Sequence, residues 1–235
     1  LDGQVEDISA ADVKRLFALD GTSDNSAVKF ISGSVDTKSS ATPVQVKITQ
    51  AAEQASLTAG TALNGSIVIG DSNNGLTVKI NGIEAGVTLA SGTYTQQEFT
   101  DLLETTINST SALAGQSVSA GLVGSNLKMT SDRYGSASQI EIVSGSAMAD
   151  LGMTAGQKSS GKDVAGSFRV NDTDELATGK GQILTANSGN ENTSGLLVRV
   201  SLSAADFSGE TTAQLTVTRG VGSSLSKLLD NFLSS

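Results

Sequence analysis

The sequence predicts a mainly β fold with a few short helices (α+β): two β-rich domains, one inserted into the other, plus stubs of a helical domain. Three observations predict this class. Apolar and polar residues alternate with period two, as at Val44, Val46 and Ile48, which is typical of half-buried strands. Short runs rich in Gly and Asn separate such segments and indicate hairpin turns. A similar β pattern occupies residues 27–50 and 164–218, on either side of a different module, which indicates an insertion.

The composition excludes several classes of site. The 235 residues include neither Cys nor His, and only 3% are aromatic. Without Cys there are no disulfides and no Cys-based metal sites, and without His the commonest general base and metal ligand are missing. A core must be built from Val, Ile, Leu and Ala, which suits thin β layers better than a deep cofactor pocket. We therefore expect no catalytic residues, no cofactor and no metal ion.

The charge predicts which partners are unsuitable. The formal net charge is −9, and no basic stripe or aromatic platform is visible. Such a chain binds nucleic acid poorly and is repelled by anionic membranes. The sequence lacks a run of 18 apolar residues, so we expect no membrane partner and no nucleic acid. Because the chain starts at Leu1, we also expect it to be a piece excised from a longer protein.

The N-terminal part predicts a helix followed by strands. Residues 8–19 carry apolar side chains at helical spacing behind Ser9, a possible N-cap. A turn-rich break follows, and we assign residues 1–26 to a helical-domain stub and linker. Pro43 then stands at the entry of an alternating strand, where its missing N–H does least damage.

The middle of the chain, residues 58–163, is predicted to be an inserted β-rich domain with one helix. Asn81-Gly82 between two apolar runs is a hairpin signal. Thr95 with Glu98 three residues later forms a capping box, which predicts a helix start. The apolar residues that follow it lie on one helical face: Phe99, Leu102, Leu103 and Ile107.

The last part of the chain completes the outer domain and starts a helix. We expect a discontinuous β-domain formed by residues 27–57 plus 164–218, and the start of a C-terminal helix at 219–235. The helix has an apolar stripe that needs a partner, and the N-terminal helix offers one. These residues are our candidates for helical-domain or oligomer contacts: Leu16, Phe17, Leu225, Leu228, Leu229 and Phe232.

Several short motifs resemble functional sites but have simpler interpretations. Residues 71–75 look like a calcium loop, yet they lack the distant bidentate Glu, so a hairpin turn is expected. The carboxylates of Asp172, Asp174 and Glu175 are best explained as a solvated turn between strands. Residues 179–181 lack the rest of a phosphate-binding loop. Asn108 and Asn192 each begin a glycosylation sequon, and we interpret both matches as incidental.

Four motifs in order resemble the repeat found in flagellins and hook-associated proteins. They run in sequence through the inserted module: VKINGIE (78–84), FTDLLETTINS (99–109), LKMTSDRYGSAS (127–138) and VSGSAMADLGM (143–153).

The flanking segments resemble the bacterial flagellar filament cap family, the hook-associated protein 2 family. PVQVKITQAAEQASLTAG (43–60) is similar to an early strand and exit of that family. Residues 162–200 and 215–233 are similar to its later β stretch and its passage into a C-terminal helix. Residues 43–45 depart from the family, which often has a Gly and an aromatic there, and 61–75 do not align.

The resemblance implies an extracellular, exported structural protein at the tip of the flagellum. The family forms an oligomeric cap that promotes flagellin assembly, and hence filament growth and motility, and it leaves the cell by the flagellar type III system. Its partners would be further copies of itself and flagellin, and its terminal coiled-coil helices would form the legs missing here. Without them we expect a monomer or a weakly associating species.

Other functions remain open at this point. The inserted module could be an adhesin-type domain that binds host glycan or mucin, as its polar, Gly- and Asn-rich loops allow. The chain could also come from a filament or hook-junction subunit that carries the same repeat. A carboxylate-based hydrolase would need a facing pair of buried carboxylates, and no feature marks one.

Overall fold

The structure is a computed structural model, and it describes residues 19–34, 36–40 and 42–220. The predicted N-terminal helix apart from Leu19, and the predicted C-terminal helix apart from Arg219 and Gly220, lie outside these residues. Within the described ranges the chain forms two compact units. Unit 1 contains the residues up to Gln50, Ala165–Gly179 and the residues from Ile183 onward, whereas unit 2 contains Ala51–Val164 and Lys180–Gln182.

Strands account for most of the regular secondary structure in the described residues. In chain order they are β1 (Leu19–Ser23), β2 (Val28–Ser32), β3 (Val44–Gln50), β4 (Gln54–Thr58), β5 (Ile67–Ile69), β6 (Gly75–Ile80), β7 (Ile83–Thr88), β8 (Gly92–Tyr94), β9 (Val118–Val123), β10 (Asn126–Tyr134), β11 (Gln139–Ser144), β12 (Gln157–Ser160), β13 (Ala165–Val170), β14 (Thr173–Lys180), β15 (Ile183–Ala186), β16 (Leu197–Val200) and β17 (Thr211–Arg219). One α-helix, α1 (Gln96–Ser109), and two 3₁₀ turns, Ser111–Leu113 and Ser146–Met148, complete the elements of the described ranges. The mainly β class predicted from the sequence is confirmed.

Unit 1 is built on one eight-stranded sheet in the order β1-β17-β3-β13-β14-β15-β16-β2. The strand β3 lies inside it, paired antiparallel with both β13 and β17. Its alternating Val44, Val46 and Ile48 are buried, as period-two patterning predicts. The β13–β14 hairpin turns through Asn171 and Asp172, which both have positive φ (47° and 66°), as a two-residue type I′ turn requires.

The two edge strands of this sheet, β1 and β2, are consecutive in the chain and pack on each other. A Cβ added at Gly21 of β1 would lie 2.6 Å from the Phe30 ring of β2, so the aromatic ring occupies the space that a side chain would need. The edges of the sheet are therefore brought together, which leaves less unpaired backbone exposed.

Unit 2 contains three small sheets and α1. The sheets have the orders β4-β10-β9, β12-β11-β6-β7 and β5-β8. The β6–β7 hairpin turns at Asn81-Gly82, with φ of 50° and 89°, as the sequence predicted. The predicted capping box also forms, because Thr95 accepts from the Glu98 N–H and the Glu98 carboxylate accepts from the Thr95 N–H.

The core of unit 2 lies between the sheets and α1. It is aliphatic except for Phe99, and Tyr94 packs against its edge. The largest side chains that are fully buried in it are Phe99, Leu76, Ile80, Leu89, Leu103, Ile107, Leu113, Leu127, Met129 and Ile140. Three of the four helix residues predicted to face inward are buried, and Leu102 is half-buried.

The observed units place Val164 and Lys180–Gln182, which are expected in the discontinuous domain, in unit 2. Strand pairing corrects the expected boundaries in three further places. Residues 51–57 were assigned to the discontinuous domain 27–57 plus 164–218, but β4 pairs with β10 of unit 2, so the boundary lies after Gln50. Leu19–Ser23, expected in the stub and linker 1–26, is a strand paired with β17. Arg219, expected to begin the last helix, ends β17. In each case cross-strand pairing, which local sequence patterns do not specify, decides the structure.

Candidate interaction surfaces

The residues predicted to make helical-domain or oligomer contacts lie outside the described part of the chain. This holds for Leu16, Phe17, Leu225, Leu228, Leu229 and Phe232. Their proposed role therefore stays a prediction.

The carboxylates around residue 172 serve the β13–β14 hairpin. Asp172 and Asp174 each lie 3.3 Å from the Arg169 guanidinium, and all three side chains are substantially exposed. Exposed pairs of this kind contribute little to stability. The solvated-turn interpretation accounts for Asp172 and Asp174.

Glu175 differs, because its side chain holds a loop in place. It is only 5% exposed, and Asn192 and Thr193 donate to its carboxylate from both their backbone and their side chains. Burial acts to raise the pKa of Glu175, but these hydrogen bonds outweigh it and lower the pKa below the usual range. Glu175 therefore remains ionised and structural, with every oxygen engaged.

The calcium-like turn at residues 71–75 is organised by Asn73. Its Oδ1 accepts from the Gly70 N–H at 2.7 Å, and its Nδ2 donates to the Val68 carbonyl and to the Asp150 carboxylate. The amide thus serves the turn itself. The turn is not the expected hairpin, because β5 pairs with β8 whereas β6 pairs with β7 and β11. In the described residues no group of three or more acidic side chains is placed to hold a metal ion.

The outer edge of β9 is occupied by side chains of α1. Asn108 Nδ2 donates to the Val118 carbonyl at 2.9 Å, and Asn108 Oδ1 accepts from the Val118 N–H at 3.0 Å. One helical turn earlier, Glu104 accepts from the Ala120 N–H at 2.8 Å. These side chains replace a neighbouring strand, so they block that edge from pairing with another chain.

The outer edge of β4 is occupied in the same way. The Ser56 N–H donates to Ser159 Oγ at 3.2 Å, and Gln157 Nε2 donates to the Thr58 carbonyl at 2.9 Å. The buried Ser138 hydroxyl accepts from the Ala55 N–H at 2.8 Å. Two side chains of β12, together with Ser138 just before β11, thus link the two larger sheets of unit 2.

Asp163 is a second structural carboxylate, and it accepts hydrogen bonds from two loops of unit 2. It accepts from the Ser136 N–H, from the Ser136 hydroxyl at 2.6 Å, and from the Gly181 N–H at 2.7 Å. Burial acts to raise the pKa of Asp163, but these hydrogen bonds and the charge of Lys180 lower it overall. Lys180-Gly181 is therefore a turn held by Asp163 and does not form a phosphate-binding loop, because the Gly181 N–H already donates to a carboxylate.

A surface groove of about 420 Å³ lies beside α1, lined by Thr93, Tyr94, Glu98, Asp101, Leu102 and Thr105. Its polar groups are engaged within unit 2. The Tyr94 hydroxyl donates to the Ala90 carbonyl, Glu98 closes the capping box, and Asp101 accepts from Gln97. The hydrogen bonds from Thr95 also lower the pKa of Glu98. Glu98 of this groove therefore serves the helix cap.

The comparisons with known proteins identify the fold. No protein-family model matches the chain, and no curated protein sequence matches it. Among solved structures, the chain is similar to the D2–D3 domains of the flagellar cap protein FliD from Escherichia coli. The TM-score is 0.51 at 16% identity, and the match covers 87% of this chain and 100% of that one. The D1–D2–D3 structure of the same protein matches with a TM-score of 0.53 at 15% identity over 92% of this chain.

The chain is thus a two-unit β protein of the insertion type. Its fold is that of the flagellar cap protein D2–D3 domains, which confirms at the level of the fold the resemblance read from the motifs. The chain spans 59% of the length of the D1–D2–D3 structure. No helix in the described ranges is long and apolar enough to cross a bilayer.

Sequence reasoning missed the main structural use of polar side chains in this fold. It weighed Glu175 only as part of a turn, and it did not single out Asp163, Glu104 or Ser138. A signal existed for Asn108, because an Asn in the last turn of a helix often bonds nearby backbone. For the others, the partners are distant in sequence, so local patterns could not reveal them.

Proposed function

We propose that this chain is the β-rich part of a structural capping protein at the distal end of the bacterial flagellar filament. The fold similarity to the D2–D3 domains of a flagellar cap protein carries this proposal. The ordered motifs at 43–60, 78–153 and 162–233 support it as well, because they resemble the same family in sequence.

In this role the protein catalyses no covalent step. Copies of the full-length protein form an oligomeric cap through terminal helices, and the cap holds exported flagellin subunits while they fold into the filament. The protein is exported by the flagellar type III system and acts outside the cell. The polar side chains described above fit a structural role, since the carboxylates of the buried Glu175 and the half-buried Asp163 hold loops in place.

The alternative of a filament or hook-junction subunit is less well supported. A shared repeat would account for unit 2 alone, whereas the similarity to the cap domains extends over 87% of the chain. Binding of host mucin or glycan would be an additional property of an exposed tip protein. In the groove beside α1 the Tyr94 hydroxyl is not offered to a glycan, because it donates to the Ala90 carbonyl.

Deletion of the gene in the source bacterium tests the proposal. We expect cells without it to export flagellin into the medium as unpolymerised subunits, with short or missing filaments. Full-length protein supplied in trans should restore filaments. Normal filament length in the deletion strain would contradict the capping role.

A further inference from the structure

The outer edge of β7 is a strand edge whose backbone groups make no hydrogen bond in the described residues, although the 3₁₀ turn Ser111–Leu113 packs near this strand. Leu89 donates from its N–H to the Asn74 carbonyl at 2.8 Å, which continues the β6–β7 ladder. In an antiparallel ladder, residues alternate between bonding the partner strand and pointing away from it. The N–H and C=O groups of Glu84, Gly86 and Thr88 therefore point away from β6, and no hydrogen bond to them is found within the described ranges.

This edge differs from the protected edges of the same unit. The edge of β9 is occupied by Asn108 and Glu104, and that of β4 by Ser159 and Gln157. The strand β7 has neither a Pro nor a Lys, and its pairing with β6 has no bulge, so Glu84 is the one edge-protecting residue in it. All three outward-pointing residues are exposed, and a Cβ built at Gly86 meets nothing within 4 Å.

We propose that this edge pairs with the same edge of a second copy of the chain, antiparallel and about a two-fold axis at Gly86. In that register Gly86 faces Gly86 of the second copy, and Glu84 faces Thr88. Each facing pair exchanges two backbone hydrogen bonds, and the four-stranded sheets join into one.

The side chains of β7 are complementary in this register. Ala85 faces Val87, and both side chains lie on the buried face of the sheet. Glu84, the charged residue of β7, faces Thr88, so like charges are not brought directly opposite each other. The absence of a side chain at Gly86 lets the two strands approach at the axis.

The contact is small, and the net charge of −9 on each copy opposes it. We therefore expect reversible association that strengthens as salt screens this repulsion. If two copies instead associated through the exposed charged face of this sheet, the association would weaken as salt is added. Across the sheet, that face has Glu84 opposite Lys79, Lys79 opposite Glu141, and Glu141 opposite Lys158, and salt would weaken any ion pairs that it makes.

Sedimentation equilibrium on the chain over increasing concentration tests the proposal, with Gly86→Asp and Gly121→Asp as matched variants. A Cβ at Gly121 also meets nothing within 4 Å, and Gly121 lies on β9, whose edge is occupied. We expect Gly86→Asp to weaken dimerisation about fivefold, because two carboxylates would face each other at the axis. Gly121→Asp, which changes the charge equally, should leave it unchanged.

Amide hydrogen exchange of the unmodified chain provides a readout that needs no variant. The amides of Glu84, Gly86 and Thr88 should become more protected as concentration rises, while the Leu122 amide at the outer edge of β9 should not. The proposal is wrong if the chain stays monomeric at all concentrations or if the two variants change dimerisation equally. It is also wrong if association weakens as salt is added, or if the β7 amides gain no protection as concentration rises.

Discussion

Asn108 and Val118 exchange two hydrogen bonds, of 2.9 and 3.0 Å, in which a side-chain amide takes the place of a β-strand. The relationship joins the end of α1 to the start of β9 and satisfies both backbone groups of Val118. Asn is suited to this because its amide carries a donor and an acceptor in the arrangement of a peptide group. The sequon that contains Asn108 is thereby explained structurally.

Asn108→Ala should destabilise the protein by about 1–3 kcal/mol, because it leaves the N–H and C=O of Val118 without partners in a half-buried environment. Urea unfolding followed by far-UV circular dichroism measures the change. Ser109→Ala is the control, since its exposed hydroxyl only bonds back to its own helix. If both variants lost the same stability, the proposed strand replacement would be wrong.

Acid should weaken unit 1 through Glu175. Its pKa is lowered in the folded state, so its contribution is present above the unfolded pKa of about 4.3 and is lost as pH falls through the lower folded value. Glu175→Gln should therefore be less stable than the unmodified chain at pH 7, with a gap that narrows toward pH 3.

Urea unfolding at the two pH values measures this gap. Glu191→Gln is the matched control, because Glu191 is 83% exposed and pairs only with the exposed Lys38. A Glu175→Gln gap that is the same at both pH values would show that the ionised carboxylate is not the stabilising group.

Gly135→Ala should be strongly destabilising. Gly135 has a φ of 94°, and its Cβ would overlap Asp163 Oδ1 and lie 2.7 Å from the Gly181 backbone nitrogen. Gly124→Ala is the control for backbone strain alone, because its φ is 63° and its Cβ meets nothing within 4 Å. We expect Gly135→Ala to lose a further ~1–3 kcal/mol beyond the control, from overpacking against the Asp163 cluster. If the two variants lost equal stability in thermal unfolding, the groups around Asp163 would be shown to move aside without an energetic cost.

Ser138→Ala should lower stability by about 1–3 kcal/mol, because the buried Ala55 N–H would lose its acceptor. Ser119→Ala, on the exposed side of β9, should change it by less than about 0.5 kcal/mol. Hydrogen exchange locates the effect: the Ala55 amide should exchange faster in Ser138→Ala only. An unchanged Ala55 amide would show that another group, such as water, replaces the hydroxyl.

The sequence could predict what depends on local pattern and neighbouring residues. The alternation at Val44–Ile48, the turn at Asn81-Gly82 and the capping box at Thr95 and Glu98 each involve residues a few positions apart, and all three form. The boundary near residue 50 could not be located in this way, because β4 resembles β3 in pattern and differs only in pairing with β10.

The polar clusters could not be predicted from the sequence for the same reason. Asp163 binds Ser136, 27 positions away, and Ala55 donates to Ser138, 83 positions away. Local sequence reasoning assigns such residues to solvent, since Asp and Ser are mostly exposed. Only the fold shows that they satisfy buried backbone groups.

Electron microscopy of intact cells labelled with gold-tagged antibody against this chain tests the central claim most directly. The capping role predicts label confined to the distal tips of the filaments. Label along the whole filament, or as a band at the hook, would instead make the protein a filament or junction subunit, and cells with unlabelled flagella would contradict the flagellar assignment altogether.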